Sequence, residues 1–151
     1  MGFITDLIDR FTGKQETNRI KYVVVAETPT KKINQMIGYA FLKDKIPDKE
    51  KLQKQLEEEN VYVVYAYNKK PRSKNKRIKK IQNNYEKIKD YIDSRSKIVL
   101  LHNYLDEAIG DKIKEEFDSL EVHNFGYPRS YKKLRKKAME SLPLYYLGKD
   151  I

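Results

Sequence analysis

Short runs of apolar, mostly β-branched residues alternate with segments of helical periodicity along most of this 151-residue chain. Each run is nearly continuous in apolar character, which is typical of strands in a parallel sheet that is covered on both faces. We therefore predict four main strands, near residues 20–27 (IKYVVVAE), 61–67 (VYVVYAY), 97–102 (KIVLLH) and 120–124 (LEVHN).

The segments between these runs predict helices, with apolar residues at a spacing of three or four. Strands that are separated by helices pair in parallel through right-handed crossovers, and the helices then cover both faces of the sheet. The sequence predicts an α/β fold with three helix–sheet–helix layers around a mostly parallel sheet of about four strands, a Rossmann-like arrangement. We expect a single domain over residues 20–151.

Residues 1–13 (MGFITDLIDRFTG) predict a short amphipathic helix that precedes this domain. We expect it to pack on the domain or on a second copy, which would give a homodimer. Peripheral contact with a membrane is the less favoured alternative, because Asp6 and Asp9 would be repelled by an anionic bilayer.

The chain also lacks the features that direct a protein into or across a membrane. No stretch approaches the roughly 18 apolar residues of a transmembrane segment. The N-terminus lacks the basic start of a signal peptide. The sequence therefore predicts a cytoplasmic protein.

The charge is strongly basic and unevenly distributed. The formal net charge is +10, which favours anionic partners. Two tracts, 69–80 and 129–137, contain eight and six basic residues and no acidic residue, and each begins just after a predicted strand. Such tracts are suited to phosphate contacts without sequence preference, with DNA or RNA as the partner. The predicted phosphate-binding residues are Lys69, Lys70, Arg72, Lys74, Lys76, Arg77, Arg129, Lys132 and Lys133.

Polar residues end every predicted strand. Ligands of open parallel sheets bind outside the carboxyl ends of the strands, where Glu27, His102 and His123 are expected. We expect at least one histidine to face a cleft with Arg129, as a general base or a phosphate ligand. The alternative is structural, because the Asn after each histidine suits a helix cap or a turn.

Catalysis at this edge would need carboxylates as well. A metal-dependent nuclease would use them to hold a divalent ion such as Mg²⁺, and Glu27 and Asp106 are the candidates. Glu86 is a secondary candidate, on a predicted helix where ordinary pairing with Lys87 or Lys89 is the stronger explanation. With no cysteine and two histidines, a zinc cluster is not expected, and no cofactor is certain.

Three functional hypotheses remain open. The first is a small basic α/β protein that binds nucleic acid and could be a nuclease. The second is a Rossmann-like binding module or transferase for a small phosphorylated ligand, such as a nucleotide or nucleotide-sugar. The third is a non-enzymatic adaptor that docks through its N-terminal helix.

Phosphate-binding loops rich in glycine and the common hydrolase motifs are missing from the sequence. The Lys, Glu and Ile bias fits a thermophilic source, although a low-GC genome produces a similar bias.

Overall fold

The computed structural model describes residues 20–118 and 120–142, which form a four-stranded sheet with helices on both faces. All strand pairs are parallel, in the order β2-β1-β3-β4. The strands are β1 (Lys21–Ala26), β2 (Val61–Tyr65), β3 (Ser96–Leu100) and β4 (Glu121–Asn124). The predicted three-layer α/β architecture is confirmed. The predicted helix at 1–13 lies outside the described residues.

Seven α-helices lie between and after the strands in the described ranges: α1 (Lys31–Leu42), α2 (Lys49–Glu57), α3 (Lys74–Asn83), α4 (Tyr85–Lys89), α5 (Asn103–Leu105), α6 (Asp111–Glu116) and α7 (Tyr131–Ser141). A π-helical turn, Asp106–Gly110, joins α5 to α6. None of the described helices has both the length and the apolar character needed to span a bilayer.

The central strand β1 faces a different core on each side. Tyr22 and Val24 pack in one core with α1, α2 and α7, while Val23 and Val25 pack in the other with α3, α4 and the segment from α5 to α6. All four side chains are fully buried. Burial of each valine stabilises the fold by about 1.5–3 kcal/mol, so both faces of the strand must be apolar. This explains why the strand sequences do not alternate.

The π-helical turn interrupts the helical segment that links β3 to β4. The carboxylate of Asp106 packs against Gly110, where a Cβ atom would lie 2.4 Å from Asp106 Oδ1. The glycine therefore leaves the space that the Asp106 side chain occupies.

Helix α7 is joined to α1 by a buried arginine. Arg135 is 8% exposed, and its Nη1 donates hydrogen bonds to the carbonyls of Tyr39 (3.1 Å) and Ala40 (3.3 Å). These carbonyls belong to the last turn of α1, where backbone acceptors begin to lack partners within the helix. The Tyr39 carbonyl also accepts from the backbone N–H of the C-cap residue Lys43 at 3.0 Å. One cation of the second basic tract is thus turned inward and has a structural role.

Candidate functional site

The carboxyl ends of the four strands form one edge of the sheet. We call this edge the rim and define it by the residues that follow the strands: Glu27, Ala66, Leu101 and Phe125. The chain passes from β1 to β2 on one side and later places β3 on the other side of β1. The β1/β3 position is therefore the topological switch point, where open α/β sheets bind ligands. Glu27 and His102 both lie there.

Glu27 is a buried carboxylate that is fully engaged by its neighbours. It is 7% exposed and accepts from Arg77 of α3 at both oxygens: Nη2 lies 2.6 Å from Oε1, and Nε lies 2.9 Å from Oε2. The hydroxyl of Tyr67 also donates to Oε2. Burial and the bond to Glu27 raise the pKa of Tyr67, so this hydroxyl keeps its proton. Glu27 therefore balances the charge of Arg77 and has little capacity left to hold a metal ion.

His102 is a neutral histidine that caps a helix. Its Nδ1 accepts from the backbone N–H of Tyr104 at 3.0 Å, which places the ring proton on Nε2. Nε2 lies 3.6 Å from Glu27 Oε1 and 3.2 Å from Arg77 Nη2. Burial lowers the pKa of His102 below 6.5; the charge of Glu27 opposes that shift, and the charges of Arg77 and Lys70 add to it. Because Nε2 and the guanidinium are both donors, their contact is not a hydrogen bond.

The structure does not bring His123 together with His102. His123 pairs with Val99 in the sheet, so His102 lies three residues further along, or about 10 Å at 3.3 Å per residue. The odd separation also points the two side chains to opposite faces of the sheet. His123 Nε2 instead lies 3.0 Å from Glu121 Oε1 on its own strand. Strand register therefore keeps the two histidines apart, and neither of them lines the cavity that contains Arg129.

The remaining carboxylate candidates do not join Glu27. Asp106 packs against Gly110 in the π-helical turn, and Glu86 is an exposed residue of α4 that lies 3.3 Å from Lys89. Lys89 also pairs with Glu116 at the end of α6, which is the end remote from the rim. Within residues 20–118 and 120–142, no three His, Asp or Glu side chains are grouped closely enough to hold a metal ion.

A cavity of about 260 Å³ opens at the rim beside β1. Segments that follow three strands line it: Thr28 and Thr30 after β1, Asn68–Lys70 after β2, and Leu101 after β3. Tyr127, which follows β4, also lines it. We call it the first cavity. Glu27 also lines it and is already neutralised by Arg77, which leaves Lys69 and Lys70 as its effective charges.

A second cavity of about 180 Å³ adjoins it at Tyr127. Its cations are Arg129, Lys133 and Lys137, and the last of these donates to the carbonyl of Phe125 at 3.0 Å. Tyr127 is 41% exposed and lines both cavities. An accessible aromatic ring therefore lies between two basic depressions.

Most of the predicted phosphate-binding cations have no acidic partner. Arg77 pairs with Glu27, and Lys74 Nζ lies 3.4 Å from Glu107 Oε1. The other seven form no ion pair with a carboxylate in the part of the chain that the structure describes: Lys69, Lys70, Arg72, Lys76, Arg129, Lys132 and Lys133. Cations of the strand bodies are paired instead, as Lys21 is with Asp93 and Lys97 with Glu121. The rim thus carries uncompensated positive charge.

Three longer helices begin at the rim and add to its positive potential. α1, α3 and α7 start after the capping residues Thr30, Ser73 and Ser130, and none has an acidic residue in its first turn. Their N-terminal ends carry partial positive charge.

Sequence analysis did not identify Thr28 and Thr30, which line the first cavity. The signal was TPT (28–30), a short capping segment directly after a predicted strand.

Comparisons with protein-family models, curated proteins and solved structures found no significant match. The function is therefore proposed from the geometry and charge of the rim.

Proposed function

We propose that the protein binds nucleic acid through the rim, largely without sequence preference. The observation that carries the proposal is the set of seven cations without acidic partners, all on segments that follow β2 or β4. Lysine and arginine contacts to phosphate give affinity that is independent of sequence and sensitive to salt.

The position of Tyr127 favours a single strand over a duplex. Its exposed ring can stack on a base, while Lys69 and Lys70 on one side and Arg129 and Lys133 on the other contact the adjoining phosphates. These cations line small depressions rather than one broad surface. A flexible single strand can bend into successive depressions, whereas a stiff duplex would lie across them without entering.

The arrangement of the candidate carboxylates supports binding of nucleic acid rather than its metal-dependent cleavage. The carboxylate that lines the first cavity, Glu27, is bound by Arg77 and Tyr67. Asp106 and Glu86 lie in other environments, as described above. We therefore do not extend the proposal to nuclease activity.

The proposal is tested by fluorescence anisotropy with a labelled single-stranded oligonucleotide of mixed sequence over a range of salt concentrations. We expect affinity to fall steeply with salt, with each neutralised phosphate contributing about 0.7 to the logarithmic slope. The charge-reversed variants Lys69→Glu/Lys70→Glu and Arg129→Glu/Lys133→Glu should each weaken binding of unrelated sequences to a similar degree.

Lys87→Glu/Lys114→Glu is the matched control, with the same change of charge on the exposed surface of α4 and α6. Absence of binding at low salt would overturn the proposal. Equal losses in the control and the rim variants would also overturn it, because net charge rather than the rim would then determine affinity.

A further inference from the structure

The inner side of the first cavity is formed by buried residues. Its lining residues Ala26, Glu27 and Leu101 are 1%, 7% and 2% exposed, and we call them its floor. The volume of about 260 Å³ lies below the range of about 300–1,000 Å³ that is usual for ligand pockets. A group that enters can be about as large as a phosphate with its sugar, and a strand cannot continue through the floor.

The lining of this cavity matches a doubly charged anion. With Glu27 neutralised by Arg77, the lining carries two positive charges from Lys69 and Lys70. A phosphomonoester has a charge of about −1.5 to −2 near neutral pH, because its second pKa is near 6. A phosphodiester within a strand has a single negative charge. The charge balance therefore favours the monoester.

Uncharged donors are present in the same lining. Thr30 Oγ1 accepts from the backbone N–H of Ile33, which leaves its hydroxyl proton able to donate. Thr28 and the amide of Asn68 also line the cavity, and Tyr127 stands where the lining meets the second cavity. A sugar or base attached to the phosphate would leave the cavity beside this ring.

We infer that the first cavity binds a phosphomonoester, with the terminal phosphate of a nucleic acid strand or a free nucleoside monophosphate as its source. The inference rests on the proposed function for the strand as the source. The attached base stacks on Tyr127, and the rest of the strand follows the cations of the second cavity.

The test uses one single-stranded oligonucleotide in three forms: 5′-phosphorylated, 3′-phosphorylated and without a terminal phosphate. A nucleoside 5′-monophosphate and the corresponding nucleoside are measured in parallel by calorimetry. We expect one phosphorylated oligonucleotide to bind about tenfold more tightly than the unphosphorylated form. Lys69→Gln/Lys70→Gln should abolish this preference, and the preference should persist in Lys87→Gln/Lys114→Gln, which removes the same charge from exposed positions of α4 and α6 outside both cavities.

The outcomes separate this inference from the proposed function. Equal affinity for all three oligonucleotides would overturn the inference and leave strand binding standing. Binding of the monophosphate, but of neither its nucleoside nor any oligonucleotide, would support the cavity and overturn the proposed function. A preference for the terminal phosphate that survives in Lys69→Gln/Lys70→Gln would overturn the cavity as its site.

Discussion

Arg77 of α3 binds the carboxylate of Glu27, fifty residues earlier in the chain, through both oxygens at the switch point of the sheet. The arginine side chain is 14% exposed and the glutamate is 7% exposed. Arg77 belongs to a basic tract whose other members are mostly exposed, yet its charge is used inside the protein. The pair connects the end of β1 to α3. In it, Arg77 neutralises the negative charge that Glu27 would otherwise place in the first cavity.

Removing one partner of this pair should be costly. Glu27→Gln leaves the guanidinium of Arg77 without a charged partner in a largely buried position, and we expect a loss of about 3 kcal/mol in the free energy of unfolding. In the double variant Glu27→Gln/Arg77→Met the loss should be smaller than the sum of the two single losses. Urea denaturation of the four proteins measures this coupling. Additive losses would show that the two side chains do not depend on each other.

Stability should depend on pH through His102. Its pKa is lowered in the folded protein, so the unfolded chain binds more protons between that lowered value and about 6.5. The free energy of unfolding should therefore fall as pH decreases through this interval. In His102→Asn the amide oxygen can still accept from the Tyr104 N–H, and this part of the pH dependence should disappear.

The measurement is urea denaturation at several pH values between about 5.5 and 7.5. His123→Asn is the control, because it removes the other histidine from the opposite face of the sheet. The same pH dependence in His102→Asn and in the unmodified protein would contradict the prediction.

Tyr127 should contribute to strand binding through its ring rather than its hydroxyl. We expect Tyr127→Leu to weaken binding of a single-stranded oligonucleotide by about 1–3 kcal/mol, because stacking on one base is lost. Tyr127→Phe should retain most of the affinity. Anisotropy titrations at one salt concentration give the comparison, and equal losses in the two variants would rule out stacking as the cause.

Arg135 should contribute to the stability of the folded protein and not to ligand binding. Arg135→Met leaves the carbonyls of Tyr39 and Ala40 without these bonds at the end of α1, and we expect a loss of about 1–3 kcal/mol in unfolding free energy. Lys136→Met, at an exposed position of the same helix, should change stability little. Thermal unfolding and oligonucleotide binding are measured on both variants. A binding defect confined to Arg135→Met under conditions where it is folded would contradict the structural role.

Local patterns in the sequence determined the architecture. The strands near 20–27, 61–67, 97–102 and 120–124 were predictable because each buries both faces, and a doubly buried strand has a continuous apolar run. The parallel pairing followed from the helices between them. The same reasoning placed both basic tracts at one edge, since each begins just after a strand.

The tertiary structure decided which of these residues act together. Strand register separates His123 from His102, because His123 pairs with Val99, three residues before His102. Arg77 and Arg135 do not differ from their basic neighbours in sequence pattern. Only the tertiary structure shows that Arg77 pairs with Glu27 and that Arg135 donates to a carbonyl at the end of α1. Cavities, ion pairs and buried charges depend on contacts between residues that are distant in the chain, and local periodicity contains no information about those contacts.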